Sequence, residues 1–290
     1  MVSYAMDWPT TTTDPRLDRQ GSDISLDPTS LLRRMVLFGT VFLLAGCASS
    51  VTFQSAVRTD QVMLSGYMER PQGSGPHPAA ILLHTCAGLL PHVLSWATWF
   101  RAEGYVAFVV QSFPGAGRMS SVCHEQRNPT FHEVALDAVG ALRHLTSLPF
   151  IDRSRVIVVG FSYGGNAALV VASSYFPSLT PEVRSDDFRA AVAFYPGCYP
   201  WAGDVRIPVL LLLGEADRTT PPHRCVDHAA GLKRAGRPVD WKLYRGAAHG
   251  FDKAELGSQT TADGLRFDGA VTRQAQRDLR EFLRRYVTSR

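Results

Sequence analysis

Residues 160–164 read Gly-Phe-Ser-Tyr-Gly, with Gly165 behind, so one hydroxyl, that of Ser162, stands between two glycines. The run Arg155-Val-Ile-Val-Val before it is strand-like, and Asn-Ala-Ala-Leu after it is helix-forming. Gly-x-Ser-x-Gly at such a junction describes a nucleophile elbow. The turn is so sharp that side chains two positions either side of the serine would collide, hence Gly160 and Gly164. The hydroxyl is then presented at the C-terminal end of a strand, and the N-terminus of the next helix offers backbone N–H groups to developing negative charge. The plain alternative is a strand-to-helix turn in which serine is incidental.

A serine nucleophile needs a base, and the base needs a group to orient it. Downstream, Pro-Val-Leu-Leu-Leu-Leu-Gly214 runs into Glu215, Ala216 and Asp217, which places Asp217 just past a strand's C-terminal end. Trp-Lys-Leu-Tyr-Arg-Gly-Ala-Ala-His249-Gly-Phe then sets His249 in the loop after the last strand. Three polar side chains thus reach one sheet edge in the order Ser, acid, His. Glu215 is the second candidate for the acid, and an N-cap or turn role is the alternative for Asp217. Asp252 is too near His249 along the chain to orient it. His84 also ends a strand and reads as a loop-shaping histidine, whereas His92, His132, His144, His223 and His228 fall on helices or their ends. No His/Cys/Asp cluster has metal-ligand spacing and no glycine-rich phosphate loop is present, so neither metal nor cofactor is expected.

The elements that must carry these groups follow from the apolar pattern. Unbroken or alternating apolar runs at 52–57, 62–68, 79–84, 105–110, 155–159, 190–194, 208–213 and 239–244 predict strands. From residue 79 onward they have the continuous apolar character of strands covered on both faces. Helix-length segments at 91–103, 130–145, 163–174, 222–235 and 267–287 alternate with them. The expectation is α/β: a doubly wound, mostly parallel sheet of about eight strands, preceded by an antiparallel hairpin. The segment between residues 194 and 207 is too short for a cap domain, which suits small or exposed substrates.

The chain has 290 residues, 45% hydrophobic and 19% charged, enough for one sizeable core. The net charge of +4 is scattered, and Lys233, Lys242 and Lys253 are the only lysines, so no nucleic-acid footprint is present. Residues 1–30 are rich in Thr, Asp, Ser and Pro and read as disordered. Next comes LLRRMVLFGTVFLLAGCASS: Arg33-Arg34, a short apolar run, then small residues around Cys47. This is the pattern of a secretory signal, too short to span a membrane. Leu44-Ala45-Gly46-Cys47 resembles a bacterial lipobox, making Cys47 the expected site of lipid attachment; an uncleaved anchoring helix is the alternative. The paired arginines fit either a general or a twin-arginine export route, and translation could start at Met6 or Met35. The expected organisation is therefore 1–46 disordered N-terminus and signal, 47–60 linker and first strand, and 61–290 catalytic domain. The expected location is periplasmic or on the outer membrane through the lipid. In an oxidising compartment Cys86, Cys123, Cys198 and Cys225 favour disulfides, and four cysteines allow three pairings.

Taken together, Gly-Phe-Ser-Tyr-Gly-Gly, Gly-Glu-Ala-Asp, His-Gly-Phe-Asp and His84-Thr-Cys-Ala-Gly-Leu89 resemble the dienelactone hydrolase family of the α/β-hydrolases, from about Gln61 onward. The resemblance implies Ser162 as nucleophile, His249 as base and Asp217 as its orienter. It implies an oxyanion hole formed by the backbone N–H groups of Tyr163 and Cys86. Two departures stand out: the family's namesakes have cysteine where Ser162 stands, and glutamate where Thr85 stands. Both point away from dienelactone hydrolysis itself and toward small carboxylic esters or lactones. A peptidase or amidase with the same triad, and a non-catalytic envelope lipoprotein, are the alternatives. Exported relatives also imply the bridges Cys86–Cys123 and Cys198–Cys225. Arg118 is a candidate contact for a substrate carboxylate; Tyr195, Tyr199 and Trp201 either line the pocket or pack.

Overall fold

The apolar runs become the middle of one eight-stranded sheet, in the order β1-β2-β4-β3-β5-β6-β7-β8. The computed structural model describes residues 49–57, 62–113, 123, 129–179, 187–198 and 203–288. The expected signal with Cys47, together with Arg118, Tyr199 and Trp201, lies outside the described residues. Strands β1 (Ser49–Gln54) and β2 (Met63–Glu69) pair antiparallel, and β2 pairs antiparallel with β4 (Val106–Gln111). All later pairings are parallel: β4 with β3 (His77–Leu83), β3 with β5 (Ile151–Phe161), then β6 (Ala190–Phe194), β7 (Val209–Gly214) and β8 (Val239–Tyr244).

The parallel strands are unbroken apolar runs because both faces are covered. In β3, Ala80 and Leu82 point into one core layer with Trp96 and Phe100 of α1 (Pro91–Ala102) and Leu279 and Phe282 of α6 (Gly269–Leu283). Ala79, Ile81 and Leu83 point the other way. They pack with α2 (Phe131–Thr146), α3 (Tyr163–Ala172) and α5 (His223–Arg234). A single turn, α4 (Phe176–Leu179), follows α3. Helix starts carry local signals: Thr130 and Glu133 form a capping box for α2, and Asp268 accepts from the Ala270 and Val271 N–H groups at the start of α6.

The connections explain where a site must form. The chain leaves β3 for β4 on one side, returns, and from β5 onward adds every strand on the other side. The loops after β3 and β5 therefore diverge and leave a crevice at the C-terminal ends of those two strands. The turn holding Ser162 follows β5 and the His84–Leu89 loop follows β3.

Several element limits differ from expectation by a few residues, and three of these differences have a clear local cause. Strand β1 begins three residues before the expected residue 52, since its register is set by pairing Ser49 with Met68, not by its own weak apolar pattern. Strand β5 begins at Ile151; its first residues include exposed Arg153 and Ser154, which carry no apolar signal. Helix α6 starts at Gly269, after the Asp268 cap, and ends at Leu283 in one wider turn, Arg284–Thr288.

Candidate active site

Ser162 sits at φ 53°, ψ −107°, a left-handed backbone that costs a non-glycine residue about 1–3 kcal/mol. The surroundings hold it there. The Ser162 N–H donates to Phe194 O at 2.9 Å, and the Gly164 N–H donates to His84 O at 3.1 Å. A Cβ on residue 160 would lie 2.0 Å from the Gly164 carbonyl oxygen, and one on residue 164 would lie 2.3 Å from Leu83 O. The steric demand inferred for these two glycines is thus met by backbone, which cannot move aside.

The Asp217 and His249 loops are joined in the same way. A Cβ on Gly214, the last residue of β7, would lie 2.6 Å from Ala247 O, and the Ala216 N–H donates to that carbonyl at 2.9 Å. This close approach brings the Asp217 loop against the His249 loop. His249 Nδ1–H donates to Asp217 Oδ2 at 2.7 Å, and its Nε2 stands 3.0 Å from Ser162 Oγ, the acceptor for that hydroxyl proton. All three side chains are buried: Asp217 is 4%, His249 2% and Ser162 8% exposed. Buried at this level, these hydrogen bonds are electrostatically stronger than they would be at the surface.

Asp217 is itself fixed. Its Oδ1 accepts from the Thr219 and Thr220 N–H groups at 2.9 and 2.8 Å. The Thr220 hydroxyl lies 2.9 Å from Oδ2, 3.0 Å from Tyr195 O and 3.1 Å from His249 Nδ1. The carboxylate is therefore spent on holding the imidazole and its own loop. Glu215, the second candidate, is exposed and accepts from the Gly246 N–H at 3.1 Å, far from this arrangement.

The other histidines separate cleanly. Ser112 N–H donates to His84 Nε2 at 3.1 Å, so the ring proton is on Nδ1, which donates to Thr85 O at 2.9 Å. Burial pulls the His84 pKa from 6.5 down to about 4, so the ring is neutral at ordinary pH. It shapes the loop after β3, as expected, and does not face the serine. His92, in the first turn of α1, is packed: its Nδ1 is 3.0 Å from Glu255 Oε1 and its ring meets Phe161 edge-on.

In the loop after β3, the Ala87 N–H donates to Thr85 Oγ1 and the Gly88 N–H to Thr85 O. Both donors are consumed within the turn. Cys86, between Thr85 and this pair, is bonded to Cys123, and Cys198 is bonded to Cys225. The pairing implied by the family resemblance is therefore the one present. The first bridge anchors the loop after β3; the second ties the segment after β6 to α5.

Three contributions go beyond the sequence reading, which names Tyr195 only as lining the pocket or packing. Tyr195 is 1% exposed and packs its ring against His249, Asp252 accepts two buried hydrogen bonds, and Thr220 braces the acid. Thr220 had a signal, since Asp followed by Thr-Thr-Pro-Pro is a turn with a capping acid. Tyr195 and Asp252 had none, because their contacts join residues far apart in sequence. A surface cavity of about 220 Å³ lies elsewhere, beside β8 and α6. Its Lys233 and Lys242 are paired with Asp240 and Asp278, so they are not uncommitted.

Comparison with known proteins places the chain in a family. The profile of the dienelactone hydrolase family matches residues 64–287. The chain belongs to that family. Among curated relatives, it is 22% identical over 187 residues to protein bem46 of Schizosaccharomyces pombe, covering 58% of this chain and 60% of that protein. It is 29% identical over 110 residues to esterase FrsA of Klebsiella pneumoniae subsp. pneumoniae, covering 37% of this chain and 24% of that one. The match thus spans less than two thirds of either relative. Among solved structures, the apo form of Thermogutta terrifontis esterase 2 superposes with a TM-score of 0.58 at 21% identity, covering 83% of this chain and 95% of that one. At that identity the likeness is one of fold.

Proposed function

We propose that the protein is a serine hydrolase that cleaves carboxylic esters or lactones of small substrates through an acyl-enzyme. The observation that carries this is the continuous hydrogen-bonded line from Ser162 through His249 to Asp217, at 3.0 and 2.7 Å. His249 Nε2 takes the Ser162 proton as Oγ attacks the carbonyl carbon, and Asp217 stabilises the imidazolium that forms. The negative oxygen of the tetrahedral intermediate is received by the N–H groups of Tyr163 and Cys86. Collapse breaks the ester C–O bond, and His249 returns the proton to the leaving alkoxide. Water, deprotonated by the same nitrogen, then attacks the acyl-enzyme and frees Ser162. Family membership and the esterase name of a partial relative support this reaction class. The short β6–β7 connection supports a small or exposed substrate.

Ser162→Ala is expected to lower p-nitrophenyl acetate turnover by roughly 10⁴-fold or more, with the melting temperature nearly unchanged. Undiminished turnover would reject the assignment. A panel of esters, lactones and peptides on the mature protein sets the ester reading against the peptidase one. Failure of a fluorophosphonate probe to label the wild type would favour the non-catalytic alternative. For location, we propose export and lipid attachment at Cys47. Cells fed labelled palmitate should yield labelled protein, and Cys47→Ser should yield none.

A further inference from the structure

Hydrogen bonds to Asp217 and Ser162 fix two points of the His249 ring but leave it free to rock about the line joining them. What stops that motion is a ring face. Tyr195 packs against the imidazole with centroids 4.6 Å apart and planes at 62°. Tyr195 is held more firmly than packing alone requires. Its backbone is left-handed at φ 37°, its N–H donates to Leu212 O at 2.8 Å, and its hydroxyl donates to Asp252 Oδ1 at 2.6 Å. The other carboxylate oxygen of Asp252 accepts from Trp96 Nε1 at 2.8 Å. Asp252 is 5% exposed, so both bonds form away from water.

These contacts close a loop. Asp252 lies three residues after His249, bonds to Tyr195, and Tyr195 returns to His249 through its ring. Tyr195 O also lies 3.0 Å from the Thr220 hydroxyl that braces Asp217, so the same residue touches the supports of both base and acid. Trp96 and His92, one turn apart on α1, reach Asp252 and Glu255 respectively, fastening the segment after His249 to the helix that follows the loop after β3. Burial beside carboxylates drives the Tyr195 pKa well upward, so its hydroxyl keeps its proton and remains a donor.

We infer that Asp252, acting through the Tyr195 ring, is a positioning residue that sets the angle of the His249 imidazole toward Ser162. The inference rests on the reading of His249 as the general base. Neither Asp252 nor Tyr195 is assigned a contact with substrate, so their effect belongs in kcat and not in KM.

Tyr195→Phe removes one hydroxyl and keeps the ring. It is expected to lower kcat for p-nitrophenyl acetate roughly 10-fold, with KM within about twofold. It should also shift or broaden the low-field Nδ1 proton resonance of His249, read without substrate. Asp252→Ala should act in the same direction, and the double variant should be no slower than Asp252→Ala alone, since the two residues work as one unit. If Asp252→Ala does not fold, Asp252→Asn takes its place in the cycle. Wild-type kcat with an unmoved resonance in Tyr195→Phe would overturn the inference, as would multiplying losses in the double variant. A wild-type protein that turns over no ester counts against the ester reading; a resonance insensitive to Tyr195→Phe counts against positioning alone.

Discussion

Thr220 links Asp217, Tyr195 and His249 through one hydroxyl, a role that the capping turn Asp217-Arg-Thr-Thr-Pro-Pro signals only in part. Its hydroxyl approaches Asp217 Oδ2, Tyr195 O and His249 Nδ1 within 3.1 Å. Thr220→Val keeps the shape and deletes the hydroxyl, so it should lower kcat roughly tenfold while leaving the Thr219 and Thr220 N–H bonds to Asp217 in place. Steady-state kinetics on the variant check this. His84 makes a different kind of prediction. Its pKa is about 4 in the fold against 6.5 unfolded, so between those values the unfolded chain binds more protons than the native one. Stability is therefore lost as pH falls from about 6.5 toward 4, by about 3 kcal/mol for this one ring. Urea unfolding of the wild type and of His84→Gln at pH 7.5 and 4.5 measures it. The pH-dependent loss should be smaller in the variant by about that amount.

The Ser162 turn and the strands feeding the site were readable because each is dictated locally. Two glycines two positions from a serine mean a turn too tight for Cβ, and β6 and β7, buried at every position, are apolar at nearly every residue. Gly164→Ala should therefore cost more than about 3 kcal/mol, since the new methyl would meet the Leu83 and His84 carbonyls, which are backbone at the end of β3 and cannot swing aside. A large drop in melting temperature, or no soluble protein, is the expected result. What stayed hidden was whatever depends on partners distant in sequence. The start of β1 is set by β2, and the Tyr195–Asp252 bond joins residues 57 positions apart. Along the chain Asp252 is read only by its nearness to His249, whose Nδ1 instead bonds Asp217. That nearness gave no hint that Trp96 and Tyr195 would converge on it.

Over the whole molecule, the site is assembled from the ends of strands on both sides of the crevice between β3 and β5, and two covalent links lie close to it. The bridges Cys86–Cys123 and Cys198–Cys225 close loops with separations of 37 and 27 residues. On chain-entropy grounds each contributes about 3.5 kcal/mol. Replacing either pair with serine should lower the urea midpoint. Loss of Cys86–Cys123 should in addition lower kcat, because it frees the loop that carries the proposed second oxyanion donor. The order of the two rings along the polypeptide has its own consequence. The earlier ring is complete at residue 123, well before the later one opens at 198, so the two are consecutive and neither encloses the other. Under the export proposed above, a chain threaded end-first into an oxidising space can seal the first ring while the serine turn is still inside. With Cys47 taken by the proposed lipid, each later cysteine then meets its correct mate as the next thiol to arrive, with no scrambled knot to undo.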